Sequence, residues 1–243
     1  MSELVLTFDV DWAEDFVIEE VASKLIESGV RSTWFVTHES EAICRLKSRP
    51  DLFELGIHPN FLPGSTHGHD ISSVLDHCLR IVPAAKVMRT HGLYQSTPLF
   101  VHVLCNTPIK IDSSLFLDHV AHVSPFVIWL FGHQLIRVPY VWEDDSEAMR
   151  PSPQWRIEEI MFGRTGPCVI NFHPIHVVLN SSTLKAYEKL KERVRLEKSM
   201  TVQALNLFVN EGLGTRSMFD SALLYLKNSN GGQFLSDVSS TSF

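Results

Sequence analysis

The chain has 243 residues, 44% of them hydrophobic, with 21 basic against 28 acidic side chains and a net charge of −7 at pH 7. That is enough apolar material for one large α/β domain or two small ones, and the acidic balance argues against nonspecific binding to nucleic acid or to an anionic membrane. The four cysteines (Cys44, Cys78, Cys105, Cys168) form no CxxC pair, and apolar neighbours around Cys105 and Cys168 read as buried thiols in a reducing compartment.

The front of the chain carries no basic region followed by a long apolar run and cleavage site. The most membrane-like stretch, Val123 to Phe131, is broken by Ser124 and Pro125 and is too short to span. The expectation is a cytoplasmic protein without a transmembrane segment.

Leu4 to Asp11 reads as a buried strand that ends in two carboxylates, Asp9 and Asp11. Residues two apart on a strand share a face, so the pair should project together. Two like charges that close need a positive partner, and a divalent metal would make one a ligand and leave the other as a base. The plainer alternative is a strand end running into an acidic helix start. Ala13 to Ser28 follows with one apolar helical stripe, closed by Gly29. Val30 to Val36 is β-branched and aromatic, which completes a β-α-β unit and predicts a parallel sheet.

The alternation continues. A helix is expected over Ser40 to Ser48, then a strand over Leu52 to Ile57 leading into His58. A long loop, Pro59 to His69, separates that strand from a helix capped by Asp70. Lys86 to Thr90 is a short strand ending in Arg89, Thr90 and His91. Thr97 to Cys105 is helical, Ile109 to Ile111 a strand, and Gln134 to Trp142 alternates into Glu143-Asp144-Asp145. Ile157 to Phe162 is a short helix, and Pro167 to Phe172 a strand running into His173. From Ser181 onward only helices are expected, ending in a Ser/Gly-rich flexible tail over 229–243. The catalytic unit is therefore expected to occupy 1–228.

Polar groups recur at the strand ends: Asp9 with Asp11, His58, Arg89 with His91, Asp144 and His173. Barrels of the β/α type gather catalytic groups from the C-terminal ends of several strands. Twelve histidines make ligands plentiful. Asp11, His58 and a histidine of the Thr66–His69 loop would supply one carboxylate and two imidazoles, with a position left open for water. His119 and His122, on an expected helix, have a bland solvated or core role instead.

The ordered set of these stretches resembles the polysaccharide deacetylases of the NodB-homology, carbohydrate esterase family 4 group. Thr7-Phe8-Asp9-Val10-Asp11 is similar to their first motif, Gly29–Val36 to the strand that follows, and Glu54–His58 to the approach to their metal histidine. Arg89 falls at their motif arginine, Asp112-Ser113-Ser114 at a "D-S-S" segment, and Ile170–Pro174 at the final histidine motif. Gly56–Phe61 and Arg89-Thr90-His91 resemble a branch associated with lipopolysaccharide or O-antigen biosynthesis. The likeness covers roughly Leu4 to His176.

That resemblance implies a distorted, incomplete (β/α) barrel of about seven strands with C-terminal helices. It implies Asp9 as general base, Arg89 holding it, and His173 as general acid oriented by Asp144 or Asp145. Asp11, His58 and His67 would hold the metal, with zinc expected and His69 the rival third ligand. His91 stands as a substrate contact or spare ligand. The implied activity is removal of an N-acetyl group from an amino-sugar intermediate, nucleotide- or lipid-linked, of surface-polysaccharide assembly. The rivals are hydrolysis of a non-sugar amide at the same site and a catalytically inactive carbohydrate-binding protein.

Overall fold

The computed structural model describes residues 3–240. Nine strands form one sheet: β1 (Leu4–Asp9), β2 (Ser32–Val36), β3 (Phe53–Ile57), β4 (Val87–Met88), β5 (Ile111–Asp112), β6 (Phe126–Leu130), β7 (His133–Arg137), β8 (Trp142–Glu143) and β9 (Cys168–Phe172). Their spatial order is β6-β7-β5-β4-β3-β2-β1-β9-β8. All neighbours are parallel except the β6–β7 pair. The sheet curls into an open half-barrel, as the sequence led us to expect, but with two more strands. Helices α1 (Asp15–Ser28), α2 (Glu41–Lys47), α3 (Ile71–Ile81) and α4 (Thr97–Asn106) fill the first crossovers. Then come α5 (Asp144–Ala148), α6 (Ile157–Met161), α7 (Pro174–Leu179), α8 (Lys185–Glu197), α9 (Val202–Asn206), α10 (Thr215–Lys227) and α11 (Leu235–Ser240).

β1 is buried along its whole length and pairs with β2 on one side and β9 on the other. Strand alternation divides its side chains between two cores. Leu4, Leu6 and Phe8 face the helix layer, where Phe8 stacks on Trp34 at 4.4 Å and meets Phe219 of α10 edge-on. Val5 faces the concave side with Phe35, Val87, Ile111, Tyr140 and Val169. Thr7 and Asp9 share that face farther along, so the concave side is apolar at its base and polar at its mouth.

The base is closed by a segment read from the sequence as a flexible tail. Leu235 and Val238 are buried against Val5 and Val169. Leu235 N–H donates to Thr33 Oγ1 at 2.9 Å, and Arg31 N–H donates to the Gly231 carbonyl at 2.8 Å. Composition concealed this because two apolar residues among Ser and Gly are enough to plug so narrow an opening. Residues 241–243 of that expected tail lie outside the described residues. Leu235→Ala is expected to cost about 2–4 kcal/mol in urea unfolding, the usual loss for emptying a core leucine site. A loss below roughly 0.5 kcal/mol, as for a surface change, would mean that the segment seals nothing.

The two extra strands are β6, which pairs with β7 as a hairpin, and β8, because the alternating stretch Gln134–Trp142 divides into β7 and β8 rather than running as one strand. Phe131 and Gly132 link the hairpin with φ of 50° and 82°, a two-residue turn whose twist matches antiparallel strands. α7 was also missed; it starts at Pro174, directly after His173, with proline at its first position. His119 and His122 lie in irregular chain rather than on a helix: His119 Nε2 is 2.7 Å from Glu147 Oε2, and His122 Nδ1 is 2.9 Å from Thr165 Oγ1.

Candidate active site

Where the concave face turns polar, the guanidinium of Arg89 lies fully buried just beyond β4. Its Nη1 donates to Thr7 Oγ1 at 2.9 Å, to Asp9 Oδ1 at 3.1 Å and to Asn171 Oδ1. Nε and Nη2 donate to the carbonyl and hydroxyl of Ser113, each at 3.0 Å. The rings of Phe35 and Tyr140 cover the guanidinium, 4.5 and 4.2 Å from its carbon. A planar fork with several fixed donors suits such a slot, and an ammonium does not. Asp9 Oδ2 in turn accepts from Asn171 Nδ2 at 3.0 Å, so both carboxylate oxygens are held.

Asp11 reaches the site by a different route from the one expected. β1 stops at Asp9, and Asp11 and Trp12 have φ of 46° and 55°. Two consecutive left-handed residues cost on the order of 1–3 kcal/mol each, a strain found where function fixes geometry. The turn is held by Trp12 N–H donating to Thr37 Oγ1 at 3.1 Å and by Ala13 N–H donating to the Val10 carbonyl at 2.9 Å. It brings the Asp11 carboxylate between two imidazoles.

Asp11 Oδ1 lies 3.1 Å from His58 Nε2 and 3.0 Å from His91 Nδ1, and the two nitrogens are 3.3 Å apart. Ligand atoms about 2.0–2.1 Å from one tetrahedral zinc sit roughly 3.3 Å from each other. The donor chemistry agrees. His58 Nδ1 is 2.8 Å from the Arg89 carbonyl, which can only accept, so the ring's proton sits on Nδ1. The Nε2 lone pair then faces the Asp11 carboxylate and the second imidazole, an arrangement that calls for a cation or an extra proton. Burial raises the Asp11 pKa, but hydrogen bonds from His58 and His91 carry it well below the carboxylate range. His91 is raised, chiefly by its hydrogen bond to Asp11. These residues fit a divalent metal.

His67, expected as the third ligand, lies outside this group of donor atoms. The Trp12 ring lies 5.3 Å from both His67 and His91 and keeps the first away from the cluster. His67 Nδ1 accepts from Asn60 N–H at 3.2 Å and lies against Cys78 Sγ, while its ring stacks on His77. It anchors the 59–69 loop. His69 is exposed and outside the group as well. His91, the spare candidate, takes the third corner.

Opposite the cluster, Asp144 grips His173 with both oxygens: backbone N–H to Oδ2 at 2.8 Å and Nδ1 to Oδ1 at 2.7 Å. The free Nε2 lies 3.6 Å from Asp11 Oδ2. Burial alone would lower the His173 pKa, but Asp144, by charge and hydrogen bond, and Asp11 hold it well above the ordinary value. Asp145 makes no such bond to His173. His176 is buried behind it, with Nδ1 2.9 Å from Ser181 Oγ, and burial pushes its pKa down.

Three residues of the network were not singled out from sequence: Thr7, Asn171 and Glu143. Asn171 Nδ2 bridges Asp9 Oδ2 and Glu143 Oε1, each at 3.0 Å, and Tyr140 donates to the same Glu143 oxygen at 3.1 Å. Burial, then Asp145, push the Glu143 carboxyl up to about 8. A signal existed: Thr7 and Asn171 are polar interruptions of apolar strands, two positions before Asp9 and His173. Tyr140 and Trp142 are fully buried, which leaves Trp12, 39% exposed, as the aromatic at the rim.

The model of the family "WbmS-like: Polysaccharide deacetylase" matches residues 6–191. No curated protein matches the chain. Among solved structures, a Bordetella bronchiseptica protein described as a polysaccharide deacetylase involved in O-antigen biosynthesis is 30% identical over 91% of this chain and 90% of its own, with a TM-score of 0.79. A 4-alpha-glucanotransferase from Thermococcus litoralis, 12% identical over 88% of this chain and 40% of its own at a TM-score of 0.50, shares the fold alone. With three-quarters of its length matched, the chain belongs to the WbmS-like polysaccharide deacetylases.

Proposed function

We propose that the protein is a divalent-metal-dependent hydrolase that removes the N-acetyl group from an amino-sugar intermediate of surface-polysaccharide assembly. The substrate would be nucleotide- or lipid-linked and met in the cytoplasm. The observation that carries this reading is the Asp11–His58–His91 triangle, with a held carboxylate, Asp9, on one side and a carboxylate-bound imidazole, His173, on the other. The O-antigen role described for the Bordetella protein supports the choice of pathway class.

Zinc suits one carboxylate and two imidazoles best, and iron, cobalt or nickel would suit the same donors. When bound, the ion would acidify a water and polarise the acyl carbonyl. Asp9 Oδ2 lies 3.9 Å from His58 Nε2, which puts the base next to the metal corner. It removes the proton of the attacking water as the oxygen joins the acyl carbon. Arg89 and Asn171 keep its oxygens fixed throughout. His173 keeps its Nδ1 proton on Asp144 and delivers the Nε2 proton to the sugar nitrogen as the C–N bond breaks. Acetate and a free amine leave.

The test is acetate release from N-acetylated sugar nucleotides by metal-loaded protein. Asp9→Asn is expected to lower kcat by about 10²–10⁴ while the ion stays bound. The raised His173 pKa predicts activity at neutral pH that falls as pH rises through it, when the acid loses its proton. Asp144→Asn removes the main raising charge, so that decline should move to lower pH. Full activity in Asp9→Asn, or an alkaline limb untouched by Asp144→Asn, would overturn the assignment of base or acid.

A further inference from the structure

On the far side of Trp12 from the metal corner lies a cavity of about 480 Å³ whose walls include Trp12, His38, Glu39, His67, His77 and Arg80. Three imidazoles and a guanidinium thus meet in one hollow of a chain whose net charge is −7. Trp12 is the shared wall, in ring contact with His91 of the triangle and with His67 of the cavity. Its left-handed backbone fixes it there.

His38 Nδ1 lies 3.0 Å from Thr37 Oγ1, whereas the two donors that α3 brings to the wall are unspent. His77 and Arg80 are three apart on α3 and share a face, and neither side chain has a hydrogen bond or ion pair among the described residues. His77 is held by stacking on His67 at 4.8 Å. His67 is 4% exposed, and because its Nδ1 accepts from Asn60 its proton sits on Nε2. That nitrogen is turned toward the Thr37 backbone, another part of the wall, in a contact that favours its protonated form. The wall also carries a carboxylate, Glu39, on the segment after β2, and Asp15 and Glu14 act on His38 from beside it. A fork of N–H donors with imidazoles beside it, in a hollow too large for a lone carboxylate, matches a phosphoryl group.

We propose that this cavity binds a phosphoryl group carried by the substrate, with Arg80 and His77 on its oxygens and Trp12 between it and the sugar being deacetylated. The proposal rests on the deacetylase reading for the reacting sugar, but the anion site itself does not. The chemistry is shared by sugar 1-phosphates, nucleotide-linked sugars and lipid diphosphate sugars.

The first arm is calorimetric titration of the metal-loaded protein with inorganic pyrophosphate. Saturable binding that weakens with salt, and about tenfold in Arg80→Gln, is expected from loss of a charge-assisted contact. No binding, or binding indifferent to Arg80→Gln, overturns the site. The second arm compares acetate release from N-acetylglucosamine, its 1-phosphate, its uridine diphosphate form and a short polyprenyl diphosphate form. The expected result is a preference for phosphoryl-bearing sugars that shrinks about tenfold in Arg80→Gln, and the preferred member identifies the carrier. Pyrophosphate binding without acetate release from any sugar would leave the site standing and sink the deacetylase reading. Acetate release without any phosphoryl preference would do the reverse.

Discussion

Zinc-loaded protein is expected to hold about one ion per chain, and His91→Ala to lose it as completely as His58→Ala, while His67→Ala retains it. The reason is the triangle of donor atoms 3.0–3.3 Å apart, to which His67 contributes nothing. Acetate release should follow the ion, lost in the first two variants and kept in the third. The pH dependence has a definite sign. In the metal-free chain the His91 pKa is raised by Asp11, so protons compete with the ion, and affinity should fall as pH drops through that pKa. Elemental analysis after gel filtration at several pH values reads all of this. If His67→Ala emptied the site while His91→Ala stayed loaded, the third ligand would return to the 59–69 loop. Protein that never retains an ion would end the metal-dependent reading and bring the carbohydrate-binding alternative forward.

Arg89→Met is expected to be the most destabilising single change near the site, by about 3–5 kcal/mol, because it leaves Asp9 buried without its cation. Arg89 is fully buried and Asp9 nearly so, so solvent screening offers little relief. The loss also strands the acceptors on Thr7, Ser113 and Asn171. Arg89→Lys should recover little, since one ammonium cannot span donors aimed at four residues while lying flat between Phe35 and Tyr140. Adding Asp9→Asn to Arg89→Met should restore part of the stability without restoring activity, because the unpaired charge goes and so does the base. Urea unfolding of the four proteins in that cycle gives the coupling directly. A cost below about 1 kcal/mol for Arg89→Met would show that water or a side-chain shift satisfies Asp9, and that the buried pair is not what organises the barrel mouth.

Some of this was written in the chain itself. Apolar periodicity, glycine and proline stops, and Asp70 as a cap are local features, so they defined the β/α alternation, while the half-barrel class followed from the family resemblance of the motifs. Because strand ends follow from the same patterns, Asp9, Asp11, His58, Arg89, Asp144 and His173 could be named as residues that meet. Which atoms meet was decided only in three dimensions. Strand alternation was expected to pair Asp9 with Asp11, yet it is the left-handed turn at Asp11–Trp12 that delivers the second carboxylate. A histidine nine residues beyond His58 has no geometry until its loop packs, and packing set His67 behind Trp12 and brought His91 forward. Glu143 and Asn171 acquire meaning only when β1, β8 and β9 stand side by side, and the Gly/Ser-rich end became part of the core because Leu235 and Val238 meet an opening that exists only in the folded barrel. Periodicity is a property of neighbours along the chain; ligand sets and buried networks are properties of neighbours across it, and long-range packing alone creates those.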